Sequence, residues 1–184
     1  MTTTLVILGS PRKGANSETI AMAMVEESRK RGNTIKTYRL NDLKNARGCQ
    51  GCNACKTKGF CITKDDHAQI LDDVKSADSI IIASPTYYGE VSGQLRLFMD
   101  RLYCFLDGSM KSTMPKGKKI AIAVTCMSGL EGAKGVADWI EKIWAKYYGQ
   151  EMVGKIVRGA SGAPTDAAGD AEVMKQAQAI GAKL

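Results

Sequence analysis

Residues 5–18 read Leu-Val-Ile-Leu-Gly-Ser-Pro-Arg-Lys-Gly-Ala-Asn-Ser-Glu. Leu5–Leu8 is a short, unbroken apolar run, the pattern of a strand buried on both faces, as in a parallel sheet covered by helices. The small and hydroxylated residues that follow form a loop, and Ser17 begins a helical pattern that runs to Arg31 and ends at Gly32. Ile20, Ala23 and Met24 mark its apolar face. A strand, a small-residue loop and the start of a helix together make an anion site: backbone amides can approach closely, and the first helical turn carries free N–H groups and a positive dipole end.

The same alternation continues along the chain. Strands are expected at Thr34–Leu40, Ser79–Ala83, Ile120–Thr125 and Glu151–Val157. Helices are expected from Asp65 or Asp66 to about Lys75, from Ser92 to Tyr103, over Ala133–Tyr147 and from about Gly169 onward. In the second of these, Leu95, Phe98, Met99 and Leu102 share one face. Arg158–Ala168 is a Gly/Ala/Pro-rich loop without periodicity. Strands interleaved with helices predict an α/β, doubly wound parallel sheet, in which ligands sit beyond the carboxyl ends of the strands. The loops after the first, third and fourth expected strands are therefore the places for a site.

Bulk properties narrow the class. A chain of 184 residues with 44% hydrophobic residues fits one domain, spanning 1–184, whose core needs no disulfide staples. The longest apolar run, Ile20–Val25, is far short of the roughly 20 residues that span a bilayer, and the N-terminus reads as free of a signal peptide. A cytoplasmic protein that binds no membrane is expected. The +7 charge is spread over several helices without interleaved aromatics, which argues against a nucleic-acid partner. A mild positive field would still draw in anionic redox partners or phosphate-bearing cofactors.

The first loop fits neither standard nucleotide motif. A Walker loop starting at Gly9 needs Lys and Ser/Thr after Gly14, where Ala15 and Asn16 stand, and G-x-G-x-x-G is absent. Ser10, Arg12, Asn16, Ser17 and Thr19 instead suit a terminal monophosphate. After the third strand comes Ser84-Pro-Thr-Tyr-Tyr-Gly-Glu-Val-Ser-Gly93, which sets Tyr87 and Tyr88 among Pro and Gly residues where a planar ligand can lie against backbone. A phosphate loop beside a flat-ligand loop suggests a mononucleotide with a large ring system.

Four of the six cysteines, Cys49, Cys52, Cys55 and Cys61, form a C-x2-C-x2-C-x5-C array within residues 47–64. Adjacent residues of one short loop cannot all face a core, so ligation or redox chemistry is the expected role. One [4Fe–4S] cluster, a zinc ion and free thiols all remain open. Zinc fits least well, because four-cysteine zinc sites usually split into two separated C-x2-4-C hairpins. Ferredoxin-type runs place cysteines at comparable intervals, although here Ile62 replaces the proline that follows their last cysteine. Cys104 reads as a core residue. His67, the only histidine, reads as a surface or packing residue rather than a triad base. Asp65 and Asp66 read as a helix cap.

Taken together, Gly9-Ser-Pro-Arg-Lys-Gly-Ala-Asn-Ser-Glu, the cysteine array followed by Asp65-Asp66, and Ala83-Ser-Pro-Thr-Tyr-Tyr-Gly resemble the flavodoxin-like NAD(P)H-dependent FMN reductase family, and more closely its iron–sulfur flavoprotein branch. The resemblance implies a flavodoxin-like three-layer sandwich with a five-stranded parallel sheet in the order 2-1-3-4-5, carrying a cysteine-rich insertion at 47–64. It implies FMN held at its phosphate by residues 10–19 and at its ring by Pro85, Thr86, Tyr87, Tyr88, Gly89 and Val91. Cys126, Ser128 and Gly129 would lie on another side of the flavin, and the four array cysteines would hold a [4Fe–4S] cluster. It further implies a homodimer or homotetramer.

The expected function is an FMN-dependent oxidoreductase that relays electrons between a [4Fe–4S] cluster and FMN, with ferredoxin or NAD(P)H as electron donor. Its small-molecule acceptor would be a quinone, oxygen or peroxide, and no side chain need act as a covalent catalyst. A cluster-free NAD(P)H-dependent FMN or quinone reductase, a flavodoxin-type carrier without its own substrate, and a zinc-stabilised interaction module are the alternatives.

Overall fold

The computed structural model describes residues 2–184. In chain order the elements are β1 (Thr3–Leu8), α1 (Asn16–Lys30), β2 (Thr34–Arg39), a short α2 (Cys55–Lys58), α3 (Asp66–Ser76), β3 (Ser79–Tyr87), β4 (Glu90–Val91), α4 (Gly93–Arg101), β5 (Lys119–Thr125), α5 (Leu130–Glu141), β6 (Glu151–Arg158) and α6 (Ala171–Gly181). Five strands run parallel in the order β2-β1-β3-β5-β6, the flavodoxin-like order expected from the sequence. The sheet has a sixth strand that the sequence reading lacks: β4, two residues long, folds back antiparallel on the end of β3.

The apolar runs are continuous because alternate residues serve two cores. Leu5 and Ile7 of β1, Ile80 and Ile82 of β3, and Ile120 and Ile122 of β5 face one layer, filled by α3, α4 and α5. Val6, Leu8, Ile81, Ala83, Ala121 and Ala123 face the other, filled by α1 and α6. At about 25 cal/mol per Å2, burial of these faces is the main term holding the three layers together. The small side chains of β5 on the second face admit α1, and Gly181 of α6 meets the backbone of Met24 so closely that an added Cβ would lie 2.3 Å from its carbonyl oxygen.

Two local features differ from the sequence reading. β3 runs four residues past Ala83, so Pro85 lies within a strand, paired with Thr125. β1 ends at Leu8 opposite Ala83, so beyond that point β5 is the parallel neighbour that β3 keeps among the described residues, and such an edge tolerates a missing N–H. α5 continues into a wider-wound π turn over Lys142–Tyr147, whose Trp144 is fully buried.

β2 is tied to α3 by a polar cluster. Asp73, almost fully buried, accepts from Lys36 Nζ at 2.7 Å and from the Tyr38 hydroxyl at 2.6 Å. Burial pulls the Asp73 carboxyl upward, but the Lys36 and Tyr38 hydrogen bonds outweigh it and hold it below the usual range. Burial and the bond to Asp73 push Tyr38 up to about 12. A carboxylate depressed in the folded state contributes stability above its unfolded value, about pH 4, and loses it as pH falls through the folded value. Asp73→Asn should therefore lower stability by roughly 1–2 kcal/mol at neutral pH. Urea titrations should find the two proteins converging below about pH 4.

Candidate functional site

β1 ends opposite Ala83 of β3, and the segments that follow the two strands are bolted together. Gly9 N donates to Ala83 O at 2.8 Å, and the Ser92 hydroxyl donates to Gly9 O at 2.7 Å. Ser92 is also the N-cap of α4, accepting from Leu95 N at 3.3 Å. A Cβ on Gly9 would lie 2.9 Å from both Ser92 Oγ and Leu95 Cβ, so glycine is what allows this close approach.

The two loops, with those after β5 and β6, enclose a cavity of about 490 Å3 at the carboxyl ends of the strands. Ser10, Arg12, Asn16 and Ser17 line one side, with Ala15. Pro85, Thr86, Tyr87, Tyr88 and Gly89 line another. Cys126 and Ser128 stand on a third, with Thr125 and Met127. Thr19, Val91 and Gly129 do not line it: Thr19 Oγ1 donates to Gly14 O at 3.2 Å, and Val91 is buried in the core. The remaining wall, Ser161–Pro164, was not foreseen. Its position depends on contacts about 150 residues apart in the chain, and no periodicity in the loop announces them.

Those contacts also define what Asn16 does. Its side chain donates to Ala163 O and to Asp166 Oδ1, both at 2.7 Å, and accepts from Ala167 N at 2.9 Å. Arg158, at the end of β6, donates to Asp166 at 2.7 Å, Ser161 Oγ at 2.9 Å and Asp170 at 3.1 Å. Slight burial raises the Asp166 carboxyl, but Ala163 N, Asn16 and Arg158 together hold it below its ordinary range. Asn16 thus clamps the start of α1 to the far wall, leaving Arg12, the Ser17 side and the first-turn amides to face an anion. The Cys126 thiol is occupied too, donating to Ser128 O at 3.1 Å and Gly129 O at 3.2 Å.

Tyr88 and Gly89 make the two-residue turn between β3 and β4, both with positive φ, 52° and 78°. This is the turn geometry that matches hairpin twist and favours Asn or Gly at both positions. A tyrosine there costs about 1 kcal/mol, and its ring stands fully exposed at the cavity mouth. A strained, exposed aromatic beside a cavity indicates selection for something other than stability. The cavity's volume, its cationic and amide-rich end and its aromatic rim fit a mononucleotide carrying a planar ring system.

The cysteine segment lies along α4. Gly48 packs against Leu97, Lys56 Nζ donates to Tyr103 O at 2.8 Å and Leu106 O at 2.6 Å, and that ammonium sits 3.4 Å from the Tyr103 ring centroid. Asp65 and Asp66 do not cap α3 with their side chains. Asp66 accepts from the amides of Lys44 and Asn45, and Asp65 from that of Arg47, so both carboxylates shape the loop. His67 is buried, its ring edge-on to Phe98 and hydrogen-bonded to Arg47 O at 3.1 Å, so of the two roles expected for it packing holds.

Cys49, Cys52, Cys55 and Cys61 line one recess of about 20 Å3, joined by Arg101, Tyr103 and Cys104. Cys104 is a core residue whose thiol is pushed up to about 12 by burial, with Cys61 and Cys55 adding to the effect. Among the described residues, no three Cys, His, Asp or Glu side chains come together as a site for a single metal ion. A four-iron cluster takes its thiolates at separated corners, and four thiols around one recess match that donor set. Cys49 and Cys52 are exposed, and Cys55 and Cys61 are half-buried.

The fold is flavodoxin-like, with a cavity at the carboxyl edge of the sheet, and comparison with known proteins supplies the family. The chain belongs to the NADPH-dependent FMN reductase family, whose profile matches residues 2–149. Its relatives place it in the iron–sulfur flavoprotein branch: it is 38% identical over 135 residues to the iron-sulfur flavoprotein of Methanosarcina thermophila, covering 73% of this chain and 70% of that one. It is 31% identical to an iron-sulfur flavoprotein of Archaeoglobus fulgidus, covering 97% of this chain and 76% of that one. In fold it is similar to an FMN-dependent NADH-azoreductase of Bacillus anthracis solved in complex with FMN, with a TM-score of 0.75, 15% identity, and 100% and 99% of the two chains covered.

Relieving the strained turn tests its reading. Tyr88→Gly should raise the unfolding free energy by about 1 kcal/mol in chemical denaturation. A loss of stability instead would mean that the ring makes contacts that outweigh the strain.

Proposed function

We propose that this protein is an FMN-dependent oxidoreductase that relays electrons between FMN in the large cavity and a [4Fe–4S] cluster held by Cys49, Cys52, Cys55 and Cys61. The observation that carries the reading is the 490 Å3 cavity, with an amide- and arginine-lined end at the start of α1 and an aromatic rim at the β3–β4 turn. Arg12, the Ser10 and Ser17 region and the first-turn amides of α1 would hold the phosphate; residues 85–89 would lie along the ring and supply backbone hydrogen bonds to its edge. FMN accepts electrons in pairs and releases them singly, so it can join a hydride donor to one-electron carriers.

The chain's own part is placement. Asn16 and Arg158 hold the far wall at Ser161–Pro164 against the phosphate loop, and Ser92 keeps the ring loop in register with it. The open mouth, beside exposed Tyr88 and Met127, leaves room for a donor or acceptor to stack. NAD(P)H or ferredoxin is the donor in this reading, and a quinone, oxygen or peroxide the acceptor. Residues 44–64 carry the exposed Lys44, Arg47, Lys58 and Lys64 with no acidic residue, a basic face suited to an acidic electron-transfer partner. The unit is one flavodoxin-like domain, cytoplasmic, with the exposed apolar residues around the mouth covered in a homodimer or homotetramer. No helix among the described residues is long and apolar enough to cross a membrane.

The narrow cysteine recess favours one second reading, a cluster-free NAD(P)H-dependent FMN or quinone reductase. Iron, sulfide and flavin analysis of anaerobically purified protein separates the two. The expected result is one FMN and about four iron atoms per chain, with a broad absorbance shoulder that bleaches with dithionite. Cys52→Ala should remove the iron and leave FMN in place; flavin without iron in the native protein would select the cluster-free enzyme. Arg158→Ala should raise the FMN dissociation constant about tenfold, or about 1.4 kcal/mol, in a flavin fluorescence titration. An unchanged constant would remove the far wall from the binding account.

A further inference from the structure

Arg101, the last residue of α4, is buried to 1% exposure together with its partner Asp65. Its Nη1 donates to Asp65 Oδ2 at 2.6 Å and Arg47 O at 2.9 Å, and its Nη2 to Thr63 O at 3.3 Å. Among the described residues its Nε has no partner, and neither has Asp65 Oδ1. Burial works against both charges, yet each overcomes it: Asp65 is held below its ordinary range by Arg101 and the Arg47 amide, and Arg101 above its own by Asp65 and neighbouring Cys61.

As a stabilising device this pair is poor. Desolvating two charges commonly costs as much as their attraction returns, and each buried group without a partner adds a further penalty. Apolar side chains in place of both Arg101 and Asp65 would avoid burying two charges. The donor left over belongs to a residue that lines the recess of the four array cysteines, beside Cys61. Sulfur carrying negative charge is the acceptor that this place supplies.

We propose that Arg101 is a positioning residue for the cysteine-ligated cluster: through Nε it donates a hydrogen bond to the Cys61 sulfur, and its buried charge raises the cluster's reduction potential. The inference rests on the cluster reading above. Reduction adds one electron to the ligated group, and Arg101 gains or loses no proton in the step. A fixed guanidinium favours the more negative, reduced form, and hydrogen bonds to ligand sulfur act in the same direction. Asp65 and the carbonyls of Arg47 and Thr63 hold the guanidinium in place, so that α4 links the cysteine loop to the β3–β4 turn at its other end.

The test is a potentiometric titration, followed by electron paramagnetic resonance, of anaerobically purified native protein, Arg101→Gln and Arg101→Lys, with iron and sulfide measured on each. The expected result is a cluster potential shifted to more negative values in Arg101→Gln, a smaller shift in the same direction in Arg101→Lys, which keeps the charge but lacks Nε–H, and flavin potentials unchanged in both. Should the Gln variant fail to accumulate folded, the Lys variant alone decides the matter. Iron-loaded variants with the native potential would overturn the proposal, as would variants that lose part of their iron while the remaining clusters keep the native potential. Native protein without iron would sink the cluster reading itself, a result distinct from either of these.

Discussion

The structure turns on the junction of Gly9, Ala83 and Ser92. One hydroxyl, Ser92 Oγ, binds the carbonyl of Gly9 just past β1 and caps the helix that follows β3, while Gly9 N binds the carbonyl of Ala83. A phosphate-type loop and a ring-type loop come from parts of the chain about 75 residues apart, and each is an ordinary turn on its own. Held side by side without room for a methyl group between them, they become two walls of one cavity. The remaining walls follow from the parallel register, because β5 and β6 end at the same edge.

Much of this was legible in the residues. Leu5–Leu8 and Ser79–Ala83 are continuous apolar runs because their alternate side chains feed two cores, and that pattern identifies a two-faced parallel sheet without any long-range information. Gly32, at φ 86°, closes α1 where the sequence places it. The array cysteines announce themselves by spacing alone. What escaped reading was set by partners distant in the chain. The two-residue β4 is too short to have a period, and its turn uses Tyr88 where Gly or Asn would have signalled a hairpin. The Ser161–Pro164 wall is carried by Asn16, Arg158 and Asp166, whose pairing no local pattern encodes. Asp65 and Asp66 occupy cap positions, but their carboxylates bind the amides of residues 44–47, a preference that depends on how the cysteine segment is routed.

Stability and function divide across the same elements. The cores under β1, β3 and β5 are apolar and closely packed, and the polar cluster of Lys36, Tyr38 and Asp73 is fully paired. A strained backbone at Tyr88 lies on the cavity rim, and unpaired polar atoms lie at Arg101 and Asp65 beneath the cysteines as well as at Trp144 Nε1 in the core. α4 connects these two places: its N-cap secures the cavity, and its last residue enters the recess. Nine residues of helix span roughly 13 Å, so a change at one end is transmitted along a short rigid element.

The claim underlying the account is that the carboxyl edge of the sheet binds a flavin mononucleotide with its phosphate at the start of α1. Calorimetric titration of flavin-free protein with FMN and, separately, with riboflavin measures this directly, since the two ligands differ only by the phosphate. The account predicts tight one-to-one binding of FMN and much weaker binding of riboflavin. Equal affinity for the two, or no binding of FMN, would contradict it.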